Sequence, residues 1–89
     1  MNNGFKIGDR VSWRGAWGTH TPQKATITEI EVVENVGDKY GTPVETVSYE
    51  MVRARKVIFS LISEEGKGKW AYPENVAPIG IDPRDWHEA

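Results

Sequence analysis

Few side chains of this sequence could act as nucleophiles, acids or bases. The chain has 89 residues, two histidines and no cysteine. Any nucleophile would therefore be a serine or threonine that needs a neighbouring base, and neither His20 nor His87 belongs to a recognisable Ser-His-Asp pattern. The carboxylate pairs lie in predicted loops or near the C-terminus, where solvated charge is the ordinary explanation. We therefore expect no enzyme activity and no cofactor.

The acidic residues near His87 form the group that comes closest to a metal site. Asp82, Asp85 and Glu88 lie within a few positions of it. Their spacing matches no established metal-binding loop, so we expect no metal.

Aromatic side chains are the more informative feature, with four tryptophans, three tyrosines and two phenylalanines. Trp17 lies in a predicted loop and is flanked by Gly15, Ala16 and Gly18. Rigid aromatic residues in glycine-flanked loops often serve as recognition anchors. A second interpretation stays open, in which Trp17 folds back as a plug over the end of the fold. Trp13 and Trp70 lie on predicted strands, and we assign them to the core or to a lid over it.

Further candidate binding residues lie in or beside the loops. Tyr40 lies in a second long loop and Tyr72 follows a predicted strand, while Arg14 and His20 lie beside and within the first loop. Basic and aromatic side chains placed together are typical of nucleic-acid-binding barrels. The net charge of −2, with acidic and basic residues interspersed, gives no general footprint for binding polyanions. We therefore favour a protein or peptide partner over nucleic acid.

The elements that must position these residues are short strands. Alternating apolar residues predict a strand at residues 10–14 and a longer one at 23–34, with a bulge near Thr28 and Glu29, where the apolar positions change face. The nearly continuous apolar run at 56–62 predicts a central strand, and 64–68 a hairpin loop before the strand 69–72. Pro73 starts a predicted 3-10 turn at 73–76, followed by a short last strand. Residues 44–55 remain open between an edge strand and a short helical turn capped by Thr46 or Ser48.

Three segments resemble the small barrels related to SH3 domains. The segment 7–11 (Ile-Gly-Asp-Arg-Val) is similar to the entry of KOW, Tudor and bacterial SH3-like barrels, and the hairpin at Gly66–Trp70 resembles their distal hairpin. The segment 72–79 (Tyr-Pro-Glu-Asn-Val-Ala-Pro-Ile) resembles the 3-10 turn and last strand of SH3 domains. Val76 stands where peptide-binding SH3 domains have a tyrosine, so their polyproline-binding groove does not carry over.

The resemblance implies one mainly β domain, an SH3-like barrel of about five short strands with a 3-10 turn before the last. We expect this barrel at residues 1–80 and a C-terminal tail at 81–89. Strand alternation predicts a core that includes six residues: Val11, Ile27, Val57, Phe59, Leu61 and Ala71. No signal peptide or membrane-spanning run is visible, so we expect a cytoplasmic protein without membrane contact.

The expected function is a non-enzymatic binding module that recognises a protein or peptide through aromatic-bearing loops. The alternatives are a nucleic-acid-associated barrel of the KOW or Tudor kind and an accessory structural protein of a phage or mobile element. The candidate binding residues are Trp17, Tyr40, Tyr72, Arg14 and His20.

Overall fold

Short strands dominate residues 3–88, the part of the chain that the computed structural model describes. This part contains eight strands: β1 (Gly4–Lys6), β2 (Arg10–Trp13), β3 (Gln23–Val32), β4 (Thr42–Val44), β5 (Thr46–Ser48), β6 (Val57–Ser63), β7 (Gly68–Ala71) and β8 (Val76–Pro78). The helical segments are one turn at Gly15–Gly18, helix α1 (Tyr49–Arg53), a 3-10 turn at Pro73–Asn75 and helix α2 (Pro83–Glu88). The mainly β fold and the 3-10 turn before the last strand are confirmed. The predicted number of five strands is wrong, because three-residue strands such as β1, β4 and β5 are too short to show alternation.

The described strands form two antiparallel sheets. The larger sheet has the hydrogen-bonded order β7-β6-β3-β2-β8, with β4 also paired to β3. Because β8 returns to pair with β2, the last strand lies beside the second strand of the chain. The ladder of described strands ends at β7 and at β8 and does not close. The smaller sheet pairs β1 with β5, and Phe5 lies opposite Val47.

Strand β3 bends at the position that its sequence predicts. The register of its pairing with β6 shifts between Ile27 and Glu29, which is a β-bulge at Thr28. The Thr28 hydroxyl donates a hydrogen bond to the Ser60 carbonyl oxygen at 3.1 Å. Bulges increase strand twist, so both halves of β3 can direct apolar side chains such as Ile27 and Ile30 into the core.

The core lies between the larger sheet and the elements that cover it. The side chains of Val11, Ile27, Val57, Phe59, Leu61 and Ala71 are all buried, which confirms the predicted core. Strand β6 lies between β3 and β7, as its nearly continuous apolar sequence predicts. Trp13 is buried, as expected for a core residue, whereas Trp70 is 38% exposed and is therefore not a core residue.

Two short helices complete the fold. The Ser48 hydroxyl accepts a hydrogen bond from the Met51 amide at 3.2 Å and caps α1, so the predicted helical turn forms directly after strand β5. Residues 83–88 of the predicted tail are helical, and Trp86 of this helix is buried. None of the helices in the described residues is both long and apolar enough to cross a membrane.

Candidate functional site

The Gly15–Gly18 turn has an unusual backbone. Ala16 and Trp17 have positive φ angles of 49° and 59°, followed by Gly18 at 89°. Left-handed backbone costs about 1–2 kcal/mol for each residue other than glycine. A Cβ atom on Gly18 would lie 2.7 Å from the Asn75 side-chain oxygen, so a larger residue there would have to displace the Asn75 side chain in addition to adopting a positive φ. The turn directs the Trp17 side chain outward, where it is 74% exposed.

Trp17 lies within a group of four aromatic residues that we call the aromatic surface: Trp17, Tyr40, Trp70 and Tyr72. The Trp70 and Tyr72 ring centroids are 4.6 Å apart, and the Trp17 ring lies 6.1 Å from the first and 5.8 Å from the second. Trp17 is inclined by 80° to Trp70, which is an edge-to-face contact, and by 37° to Tyr72, which is a tilted contact. Tyr40 is 85% exposed.

Two clefts share the wall that Trp17, Trp70 and Tyr72 form. The first, of about 390 Å³, is completed by Lys39 and Tyr40 from the loop that precedes β4. The second, of about 460 Å³, extends from the same rings along the first loop and β7, and its lining includes Arg14, His20, Lys67 and Lys69. Both volumes fall within or near the size range of small binding clefts.

The charged side chains of the two clefts are mostly cationic. Lys39 lines the first cleft, and Lys67 and Lys69 line the second. Lys67 lies 3.8 Å from Glu65 in an exposed ion pair. Among residues 3–88, Lys39 and Lys69 form no ion pair.

Arg14 holds the first loop against the C-terminal helix. Its guanidinium binds both carboxylate oxygens of Asp82, with an Nε–Oδ1 distance of 2.8 Å, and donates to the His20 carbonyl at 2.8 Å. The hydrogen bonding of Arg14 to the Asp82 carboxylate, with a smaller contribution from the Arg84 amide, lowers the pKa of Asp82 to about 2. The Asp82 carboxylate in turn raises the pKa of Arg14. Arg84 also donates to the Gly18 carbonyl at 3.2 Å. The Trp17 turn is therefore fixed from both of its ends.

The structure brings the sequence-predicted residues into one region. Trp17, Tyr40 and Tyr72 line the first cleft, whereas Arg14 and His20 line the second. Sequence reasoning did not assign Trp70 to the site. A signal was present, because Ala71 was predicted to be buried and neighbouring residues of a strand point to opposite faces.

Sequence reasoning also missed Lys39 and Lys69. Lys39 lies in the loop before β4 and Lys69 lies in β7, and these two segments meet only in the folded chain.

In the described residues, no three or more histidine and acidic side chains are grouped to hold a metal ion. The chain matches no protein-family model, no curated protein and no solved structure.

Proposed function

We propose that this chain is a non-enzymatic binding module that recognises a protein or peptide through its aromatic surface. The observation that carries the proposal is Trp17, which is 74% exposed on a left-handed turn. Backbone strain of this kind persists where the surroundings hold it, and it is common at ligand-binding sites. The strain opposes folding and a ring that is mostly in solvent adds little to stability, so presentation of the ring to a partner is the explanation that we favour.

The non-enzymatic part of the proposal is supported by the use of the charged groups. Arg14 and Asp82 have shifted pKa values, and such groups are candidates for catalysis. Here the two side chains bind each other and fix the first loop. Their pKa shifts are thus explained by a structural ion pair.

We propose that the module is related to the SH3-like barrels in an open form, since the ladder of described strands does not close. The support for this proposal is the long bent strand β3, the 3-10 turn at Pro73–Asn75 and the return of β8 to β2. A cytoplasmic location without membrane contact belongs to the same proposal.

A peptide fits the aromatic surface better than a run of nucleotides. Successive bases stack on open ring faces, whereas Trp70 stands edge-on to Trp17 at 80° and contacts Tyr72. Tryptophan and tyrosine grouped around clefts are typical of the central residues of protein interfaces. The net charge of −2 also opposes accumulation of a polyanion.

Single-stranded nucleic acid is the second candidate, because Lys39 and Lys69 lie beside the aromatic rings. Retention on a heparin column at two salt concentrations tests it, since binding through phosphates weakens steeply with salt. Strong retention at physiological salt that is lost in the Lys39→Gln/Lys69→Gln double variant would show that the two lysines bind polyanions, and tight binding of an oligothymidine would then favour this candidate over a peptide.

The proposal predicts that Trp17→Ala separates binding from stability. Peptides selected against the wild type from a randomised display library should lose about 2 kcal/mol or more of binding free energy, roughly a 30-fold loss of affinity. The free energy of unfolding should change by less than about 1 kcal/mol, because the ring is mostly in solvent. Isothermal titration and thermal melts measure the two effects.

Ile79→Ala is the matched control, because Ile79 is also an exposed apolar residue and lines neither cleft. It should leave the affinity of the selected peptides unchanged. A loss of several kcal/mol of stability in Trp17→Ala would identify Trp17 as a lid on the core. Equal affinity of the wild type and Trp17→Ala would exclude the aromatic surface as the site.

A further inference from the structure

The charges around the aromatic surface differ from those of the whole chain. The sequence has 13 acidic and 11 basic residues, yet among the described residues that line the two clefts the only acidic one is Glu65. Lys67 already pairs with this glutamate, and Asp82 neutralises Arg14. Lys39 and Lys69 are the lysines whose charge is left for a partner.

These two lysines line different clefts, and the two clefts share the aromatic wall. Lys39 belongs to the first cleft, Lys69 belongs to the second, and Trp17, Trp70 and Tyr72 line both. A partner that crosses the wall meets a cation, then aromatic rings, then a second cation. Cleft volumes of about 390 and 460 Å³ are large enough to hold side chains of such a partner.

We infer that the aromatic surface takes an extended peptide segment in which an aromatic or apolar residue is flanked on both sides by acidic residues. The central residue packs against Trp17, and the flanking carboxylates face Lys39 and Lys69. This inference deepens the proposed function and rests on it. Complementary charges across an interface mainly set specificity and the rate of association, so the lysines select among peptides that the rings can bind.

Three randomised peptide libraries test the inference. All share a central aromatic or apolar position, and they differ in the flanking residues, which are Asp and Glu, Asn and Gln, or Lys and Arg. The best acidic-flanked peptides should bind the wild type about three- to tenfold more tightly than the best neutral-flanked ones, as expected for two exposed ion pairs. This preference should weaken as salt is added.

The Lys39→Gln/Lys69→Gln double variant should lose this preference and bind the acidic-flanked and neutral-flanked peptides with equal affinity. Lys6→Gln is the matched control, because Lys6 is an exposed lysine on β1 that lines neither cleft. It should keep the preference in full.

The outcomes separate this inference from the proposed function. Equal affinity for acidic and neutral flanks, with Trp17 still required, would overturn the inference and leave the proposed function intact. Absence of peptide binding from all three libraries would contradict both. Tight binding of an oligothymidine probe that depends on the two lysines would assign the surface to nucleic acid and overturn the inference.

Discussion

At the scale of single residues, left-handed backbone occurs at three positions other than glycine in residues 3–88: Ala16, Trp17 and Arg55. Arg55 follows helix α1, where its amide binds the Val52 carbonyl at 3.0 Å and the next amide, of Lys56, binds the Met51 carbonyl at 3.1 Å. This pair of hydrogen bonds is the Schellman motif, which commonly ends helices with a left-handed residue. The left-handed backbone at Arg55 thus allows the helix to end, whereas the left-handed backbone at Ala16 and Trp17 holds the Trp17 ring in solvent.

We predict that Arg55→Gly stabilises the protein by about 0.5 kcal/mol. Glycine removes the steric cost of φ = 61° at this position, and the greater freedom of the unfolded chain offsets part of the gain. Urea denaturation of the variant and the wild type measures the difference. Arg55→Ala keeps the Cβ atom and should give no gain, so equal stabilisation by alanine would show that loss of the arginine charge is the cause.

Individual residues also show what can be predicted from the sequence. Phe59 and Ala71 were predicted to be buried because strand alternation is a local property, and the two lie opposite each other in the β6–β7 pair. Whether Trp17 plugs the core or faces solvent could not be decided from the sequence, since it depends on backbone angles that glycine neighbours permit without requiring them. The contact of Trp17 with Trp70 and Tyr72 joins two distant segments and has no local signal.

At the scale of elements, helix α2 holds the first loop in place. Asp82 precedes the helix, accepts the Arg84 amide at 2.9 Å and binds Arg14 at the start of the loop. An aspartate followed by proline is a typical helix start, so Asp82 and Pro83 carried a signal that the prediction of a tail overlooked. The bulge at Thr28 and the Ser48 cap were predicted because their signals are local. The β1–β5 pair was not, since its strands are three residues each and about 40 positions apart.

The Arg14–Asp82 pair predicts a specific dependence of stability on acid. The pKa of Asp82 is about 2 in the folded protein, below its ordinary value of about 3.9 in unfolded chains. The lowered pKa contributes stability that is complete above about pH 4 and is lost as the pH falls through 2. The free energy of unfolding of the wild type should therefore decrease more steeply between pH 4 and pH 2 than that of Asp82→Asn, as measured by urea denaturation across this range.

Glu34→Gln is the control for this experiment, because Glu34 is an exposed carboxylate that forms no ion pair among the described residues and does not act on the Arg14–Asp82 pair. Its pH profile should follow that of the wild type. Parallel profiles for the wild type and Asp82→Asn would show that the pair does not link the loop to the helix in solution.

At the scale of the whole molecule, a second group of aromatic rings connects the two sheets. Phe5 of β1 lies 5.7 Å from Phe59 of β6, and Trp86 of α2 lies 6.0 Å from Phe5 and 5.3 Å from Tyr49. The Arg53 guanidinium covers the Trp86 ring at 4.5 Å. The smaller sheet, both helices and the larger sheet therefore meet at one buried cluster.

We predict that Trp86→Ala lowers the free energy of unfolding by about 3–5 kcal/mol, because it leaves a cavity where these elements meet. This is a large share of the total stability of a small domain. Thermal and urea melts measure it, and Trp86→Phe should recover part of the loss. The same tryptophan-to-alanine change at Trp17 should cost far less, so similar losses at the two positions would contradict the assignment of one ring to the core and the other to the surface.

Two of the four tryptophans are buried and two are exposed, so the protein carries two groups of intrinsic fluorophores in different environments. Trp13 and Trp86 are only 6% and 8% exposed, so their fluorescence is emitted from an apolar environment at shorter wavelengths. Trp17 and Trp70 emit from the hydrated surface at longer wavelengths and remain accessible to a dissolved quencher such as iodide. We expect occupancy of the aromatic surface to change the long-wavelength emission and its quenching by iodide, and unfolding to shift the emission of Trp13 and Trp86 to longer wavelengths.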